Sequence, residues 1–348
     1  MLSEESLELI VQDHLAELEW QAGHGPEFAP GFGERDTWND IVLRGRLRNA
    51  VRNLNPDVPE EYLDQAIGEV ITPKSQSAIA ENRRIHQILV EGYRGIEYID
   101  HEGNIQNPTI YFLSSQPHKN DYLSLNQVTI ANLDGERRFD VVCYVNGMPL
   151  AFIELKKTGA NTSVEGAYNQ LQTYVKEFGM AFRFANIVIP SDDLSAKYGT
   201  PFTPWNHFAP WNVDEDGSPV DPNNMVVAGE PVTQLDLLLD GLFNVERFGQ
   251  LYSDFTAFDD TAEGLIMRIA KPHQYFAVTK AVGSTITAAR GDKRAGVIWH
   301  TTGAGKSMEM ELYTAKIMRR PEMLSPTVIV LNDRTELDEQ LFETFNRS

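Results

Sequence analysis

Apolar and polar positions along this chain fall into two periods. Around residues 76–91 and again in AYNQLQTYVKEF (167–178) the apolar positions recur every three or four residues, the spacing of an amphipathic helix. Between these helices, VVCYV (141–145) and LAFI (150–153) are short, dense apolar runs, the mark of strands buried on both faces, and LSLNQVTI (123–130) precedes them in the core. AFRFANIVIP (181–190) reads as a further strand. Residues 1–70 read as mainly helical, broken by the Gly/Pro stretch GHGPEFAPGFG, and suit a capping or docking element. Residues 191–230, rich in Pro, Asn, Asp and Trp, read as a loop-like excursion, and 233–258 as one helix leading onward. Beyond it, VIWH (297–300) and TVIVL (327–331) predict two more strands, with helices over 308–320 and 335–345.

Candidate chemistry concentrates where the central runs meet polar residues. Asp140 opens VVCYV, and Glu154 and Lys156 close LAFI, with Asn146-Gly147 between the runs as a strong hairpin signal. A carboxylate on one strand, and a carboxylate and lysine on one face of its neighbour, is the donor set of a Mg²⁺-dependent phosphodiesterase. Asp140 and Glu154 supply hard oxygen ligands, and the Lys156 ammonium orients water or stabilises charge on phosphate. A plain two-residue turn would set Asp140 opposite Ile153 rather than Glu154. The reading therefore requires a three-residue loop or a β-bulge.

A second constellation is Val297-Ile-Trp-His-Thr-Thr-Gly-Ala-Gly-Lys-Ser307, a strand, glycine-rich turn and helix in phosphate-loop order. The backbone of Thr302, Gly303, Ala304 and Gly305 would cradle phosphates, Lys306 would reach the β/γ-phosphates of ATP, and Ser307 would bind Mg²⁺. His300 stands where the full motif has its first glycine.

Taken together, these motifs resemble the N-terminal part of the restriction (motor) subunit of type I restriction-modification enzymes, over essentially the whole chain. FDVVCYVNG…IELKK resembles a PD-(D/E)xK nuclease core, and Gln170 and Tyr174 resemble the family's Q-x-x-x-Y element. Residues 297–307 resemble motif I and 333–340 motif Ia of a superfamily 2 helicase, and Gln274 fits a helicase Q-motif that reads adenine. The implied fold class is α/β: a PD-(D/E)xK-like mixed sheet flanked by helices, then the beginning of a RecA-like P-loop motor domain. The implied organisation is an endonuclease domain over 1–230 with its core at about 75–190, a helical linker over 231–260, and an incomplete first RecA-like domain over 261–348. The implied catalytic set is Asp140, Glu154, Lys156, Gln170 and Tyr174, with Glu81 a weaker candidate. The implied cofactors are Mg²⁺ and ATP; the implied partners are double-stranded DNA and the methyltransferase and specificity subunits. Two other readings stay open: an inactive nuclease-fold adaptor, and a helicase–nuclease of DNA repair.

Charge and cysteine content narrow this further. A net charge of −20 argues against general affinity for the DNA backbone, leaving a local basic lining at Arg83, Arg84, Arg137 and Arg138 to approach phosphate. The single cysteine, Cys143, falls inside a predicted buried strand, which excludes a disulfide framework and suits a reducing, cytoplasmic setting. No apolar run approaches the length of a membrane span.

Overall fold

In the computed structural model of the chain, residues 3–133, 135–157, 163–192, 194–227 and 230–331 are described. The order begins α1 (Glu4–Glu17), β1 (Gln21–His24), α2 (Arg44–Leu54), α3 (Glu60–Ile71), α4 (Ala78–Glu91) and the small hairpin β2 (Tyr98–Ile99) and β3 (Ile105–Gln106). It continues with β4 (Tyr122–Asn132), β5 (Gly135–Val145), β6 (Met148–Leu155), α5 (Val164–Glu177) and β7 (Ile187–Ser191). The short pair β8 (Val226–Val227) and β9 (Glu230–Pro231) follows, then α6 (Gln234–Phe243), α7 (Val245–Asp254), β10 (Thr256–Thr261), β11 (Gly264–Ile269), α8 (Pro272–Arg290) and α9 (Lys306–Met318).

The β5–β6 hairpin organises the centre. Asn146 and Gly147 take φ of 52° and 77°, the left-handed pair of a two-residue turn whose twist matches the strands it joins. Gly147 has no substitute here, because a Cβ would stand 2.4 Å from the Leu43 carbonyl oxygen at the start of α2. Further along, Tyr144 pairs with Pro149 but Cys143 pairs with Ala151, so Leu150 is the extra residue of a β-bulge. The bulge that the Asp140–Glu154 pairing requires is present, and the next step beyond Val141↔Ile153 brings those two carboxylates level.

Around the hairpin lies a five-stranded mixed sheet in the order β1-β4-β5-β6-β7. Its inner pairs are antiparallel, while β1 runs parallel to β4 and β7 parallel to β6. The edge strand β1 lies upstream of the 75–190 span expected for the core. Alternation sends Val141, Cys143 and Ile153 into one apolar layer with α1, α3, α4 and α6, and Val142, Tyr144 and Phe152 into another with α5 and the 3₁₀ turn Gly179–Phe184. Both layers are buried and apolar, so the sheet is a central slab rather than a half-exposed surface.

Several sequence expectations are corrected. The stretch read as one helix over 233–258 is two, because Asn244 caps α7 by accepting from Arg247 N–H, and β10 starts at Thr256. The strand expected over 181–190 begins only at Ile187; the residues before it form the 3₁₀ turn, where Phe182 and Phe184 turn inward. Neither VIWH nor TVIVL forms a strand. Val297, Trp299 and Leu331 are 93%, 82% and 92% exposed, so the start of a parallel motor sheet is not built among the described residues. A parallel strand is held by neighbours on its edges, and no neighbour is present there among the described residues. The helix expected over 335–345 and the motif Ia segment 333–340 lie outside the described residues. Among the described residues no helix is long and apolar enough to cross a membrane.

Candidate active site

The paired strands place Asp140, Glu154 and Lys156 together. Asp140 Oδ2 accepts a 2.7 Å hydrogen bond from Leu155 N–H, which ties β5 to the β6 backbone immediately beyond Glu154. Lys156 Nζ donates to Glu154 Oε1 at 2.8 Å and to the Leu155 carbonyl at 3.3 Å. Glu154 is 1% exposed, and its second oxygen, Oε2, is buried with no hydrogen-bond partner among the described residues. A buried carboxylate oxygen left bare is costly, so this position calls for a cation or a proton.

The electrostatics point the same way. Burial, followed by the neighbouring Asp140 charge, pushes the Glu154 carboxyl up to about 8. Burial raises Asp140 as well, against the Leu155 hydrogen bond and the Lys156 charge. Burial works against the Lys156 ammonium, but the Glu154 carboxylate outweighs it and holds the lysine above its ordinary range. The lysine therefore stays charged at neutral pH, while the two acids share too little positive charge between them.

Sequence reasoning missed a third acid. Glu8, on α1, is 3% exposed, accepts from Asn126 Nδ2 at 3.2 Å, and is pushed up to about 7 by burial and then by the Asp140 charge. The signal was present in the helix pattern: Glu8 and Gln12, one turn apart, flank the buried stripe Leu7, Val11 and Leu15 on a helix otherwise read as acidic surface. Gln12 explains its own place by donating to the carbonyls of Gly23 and Ser124.

On α5, Gln170 Nε2 donates to the Tyr174 hydroxyl, and the buried Tyr174 ring packs edge-on against Phe139 beside Asp140. Burial raises the Tyr174 hydroxyl, and the Glu154 charge adds to the rise. The helix thus sets both residues on one face, and the Glu154 and Asp140 charges reach the Tyr174 hydroxyl. Glu81 does not join them: it is buried against Arg84, which also donates to the carbonyls of Glu69, Val70 and Thr72. Of the four expected basic residues, Arg83 pairs with Asp260, Arg84 with Glu81 and Arg137 with Glu177, while Arg138 is exposed and its charge reaches Glu8 and Asp140.

The residues present fit a divalent cation of the Mg²⁺ type. Two level carboxylates and one bare oxygen offer hard ligands while leaving positions for water and a phosphate oxygen, as Mg²⁺ prefers. Among the described residues no group of three or more His, Cys, Asp or Glu side chains is placed to hold a metal ion, so any cation here would rest on the two carboxylates.

At the other constellation, α9 begins at Lys306 behind Gly305, whose φ of 84° is the left-handed turn a phosphate loop uses. Lys306 Nζ folds back onto the carbonyls of His300 and Thr301 at 3.0 and 2.9 Å. Gln274 is buried, accepts from Lys271 N–H at 2.8 Å and donates to the Ala304 carbonyl at 3.2 Å. Its amide is engaged on both sides, so reading adenine requires release of these bonds. Thr302 and Gly303 are exposed, and Ser307 sits in the first turn of α9.

The architecture is thus a mixed sheet with an acidic strand-end site, followed by a lysine–serine loop and helix. Over residues 1–207 the sequence matches the family described as Type I restriction enzyme R protein N terminus, and over 273–348 it matches SWI2/SNF2 ATPase. The chain belongs to the type I restriction enzyme R-protein N-terminal family. It is similar to the type I restriction enzyme HindI endonuclease subunit of Haemophilus influenzae, with 33% identity over 99% of this chain and 33% of that protein. It is also similar to the putative MjaIXP endonuclease subunit of Methanocaldococcus jannaschii, with 30% identity over 95% of this chain and 33% of that protein. A Staphylococcus aureus endonuclease subunit, SauCOLORF180P, is 26% identical over 66% of this chain and 22% of its own length. The chain therefore spans about a third of the first two relatives' length.

Proposed function

We propose that this chain carries the Mg²⁺-dependent DNA-cleaving domain of a type I restriction endonuclease subunit, a PD-(D/E)xK nuclease, joined to the start of an ATP-binding, RecA-like motor. On this reading the nuclease domain takes in 1–230, 231–260 is the helical link, and 261–348 opens the motor. The observation that carries it is the bare, buried Glu154 oxygen beside Asp140 on a strand pair whose bulge brings the two level. The relatives' names, each an endonuclease subunit, support the same reading.

Asp140 and Glu154 hold the cation, with Glu8 behind Asp140 adding negative potential. When bound, Mg²⁺ polarises a phosphoryl oxygen and lowers the pKa of a coordinated water. Lys156, kept protonated by Glu154, stabilises the charge that develops on the phosphate and orients the attacking water. Gln170 and Tyr174 line the strand ends where the DNA backbone enters, and Arg138 approaches it from β5. Loop residues Thr302 to Gly305 cradle ATP phosphates, Lys306 leaves its own carbonyls to meet them, and Ser307 binds the nucleotide's Mg²⁺. Double-stranded DNA is the substrate, and methyltransferase and specificity subunits supply sequence recognition, which fits a chain of net charge −20.

The test is Asp140→Asn in the full-length subunit assembled with its partners. Loss of DNA cleavage with retained ATP hydrolysis supports the assignment, and cleavage at the unsubstituted rate overturns it.

A further inference from the structure

Two sets of polar contacts, joined only by the backbone of β10 between Thr256 and Asp259, lie between the phosphate-loop helix and the bulge that sets the site's register. Glu311, one and a half turns into α9 and 5% exposed, accepts from Arg268 Nη2 at 3.0 Å. The same Arg268 nitrogen donates at 2.7 Å to Asp259 across the β10–β11 hairpin. At the other end of β10, the buried Thr256 hydroxyl lies 2.8 Å from Asn186 Oδ1. Asn186 N–H donates to the Leu150 carbonyl at 2.8 Å, and Leu150 is the bulged residue. Asn186 Nδ2 is buried without a partner among the described residues, so this amide is held by its two neighbours rather than by a full set of bonds.

Resting on the function proposed above, we propose that the β10–β11 hairpin is a coupling strap, with Thr256, Asn186 and Arg268 as positioning residues. Through it, nucleotide at the phosphate loop adjusts the register that sets Asp140 level with Glu154. The movable end is visible in the geometry. Lys306 is bonded to His300 and Thr301 carbonyls, so engaging phosphates requires its ammonium to leave them, and on this proposal the first turn of α9 shifts with it. Glu311 rides on that helix, and Arg268 carries the shift into the hairpin. A bulge is a natural recipient, because moving its one unpaired residue changes which side chains face each other.

The experiment is hydrogen–deuterium exchange on the full-length protein with and without a non-hydrolysable ATP analogue and Mg²⁺, followed at 148–155 and 185–191. In the unsubstituted protein the analogue is expected to change exchange in both segments by about ten-fold, a usual size for coupling between sites. Thr256→Val, which removes the hydroxyl and keeps the shape, and Arg268→Met are expected to abolish that response while nucleotide still binds. Arg268→Lys, which keeps one charged tie, should recover part of it. The strap is overturned if the unsubstituted protein shows no response, or if Thr256→Val responds as fully as the unsubstituted protein; should Arg268→Met not fold, Thr256→Val alone decides. The two proposals fail separately. Cleavage that survives Asp140→Asn removes the nuclease reading but not the exchange response, and a lost response with cleavage still Asp140-dependent removes only the strap.

Discussion

Two stretches of this chain share nearly the same apolar pattern and meet opposite fates. In β5 and β6 the runs VVCYV and LAFI are buried at 2% exposure or less, whereas Val297 and Trp299 of VIWH stand 93% and 82% exposed. The difference lies outside either segment. β5 and β6 are joined by a two-residue turn and flanked by β4 and β7, so each has a paired strand on both edges. VIWH has no neighbouring strand among the described residues, and its apolar side chains have nothing to cover them. Hydrophobic pattern states what a segment can become; a sheet is a property of the neighbours.

The largest expected effect lies at the built site. Asp140→Asn, Glu154→Gln and Lys156→Ala should each lower cleavage by about 10³-fold or more, since each removes a cation ligand or the positioned ammonium. Glu154→Gln should at the same time stabilise the metal-free protein near pH 8, by removing a buried charge repelled by Asp140. A cleavage assay paired with a denaturant titration separates the two effects.

Next come the packing contrasts. Phe152→Ala opens the layer in which Phe139 and Phe182 contact its ring, and should cost about 3–5 kcal/mol in chemical denaturation. Gly147→Ala forces a side chain into left-handed backbone against the Leu43 carbonyl and should cost about 2–3 kcal/mol. Trp299→Ser, in a run that reads as equally apolar, should move stability by less than about 0.5 kcal/mol. A large loss from Trp299→Ser would show that the VIWH run is covered in solution and would collapse the comparison.

How much of this was legible in the sequence follows the same division. The hairpin, the level carboxylates and even the irregularity between them could be read, because turn chemistry and alternation are local and the parity of Asp140 and Glu154 demanded a bulge. Helix α5 could be read too, since Gln170 and Tyr174 share a face at a spacing of one turn. Glu8 escaped because its partners lie on strands far along the chain, and in isolation it is one of several glutamates on an acidic helix. Glu81, the weaker candidate, stays out of the site, and it is buried rather than solvated because Arg84 folds over it from the same helix. The motor strands were over-read because a phosphate-loop motif implies a sheet that this stretch does not build by itself.

Acidity acts on the same site. Glu154 sits at about 8 against an ordinary 4.5, so the folded state binds the extra proton. Metal-free stability should be fully present below about pH 4.5 as far as this group is concerned, and fall as pH rises through 8. Cation binding should reverse the trend, releasing protons and tightening as pH rises over the same range.

The most direct test of the central claim is a crystal soaked with Mn²⁺ at pH 8, read by anomalous scattering. The account predicts one strong peak shared by Asp140 and the bare oxygen of Glu154, at about 2.0–2.3 Å, with Lys156 facing the same pocket. A structure in which these carboxylates stay free of metal while Mn²⁺ occupies other sites would contradict it.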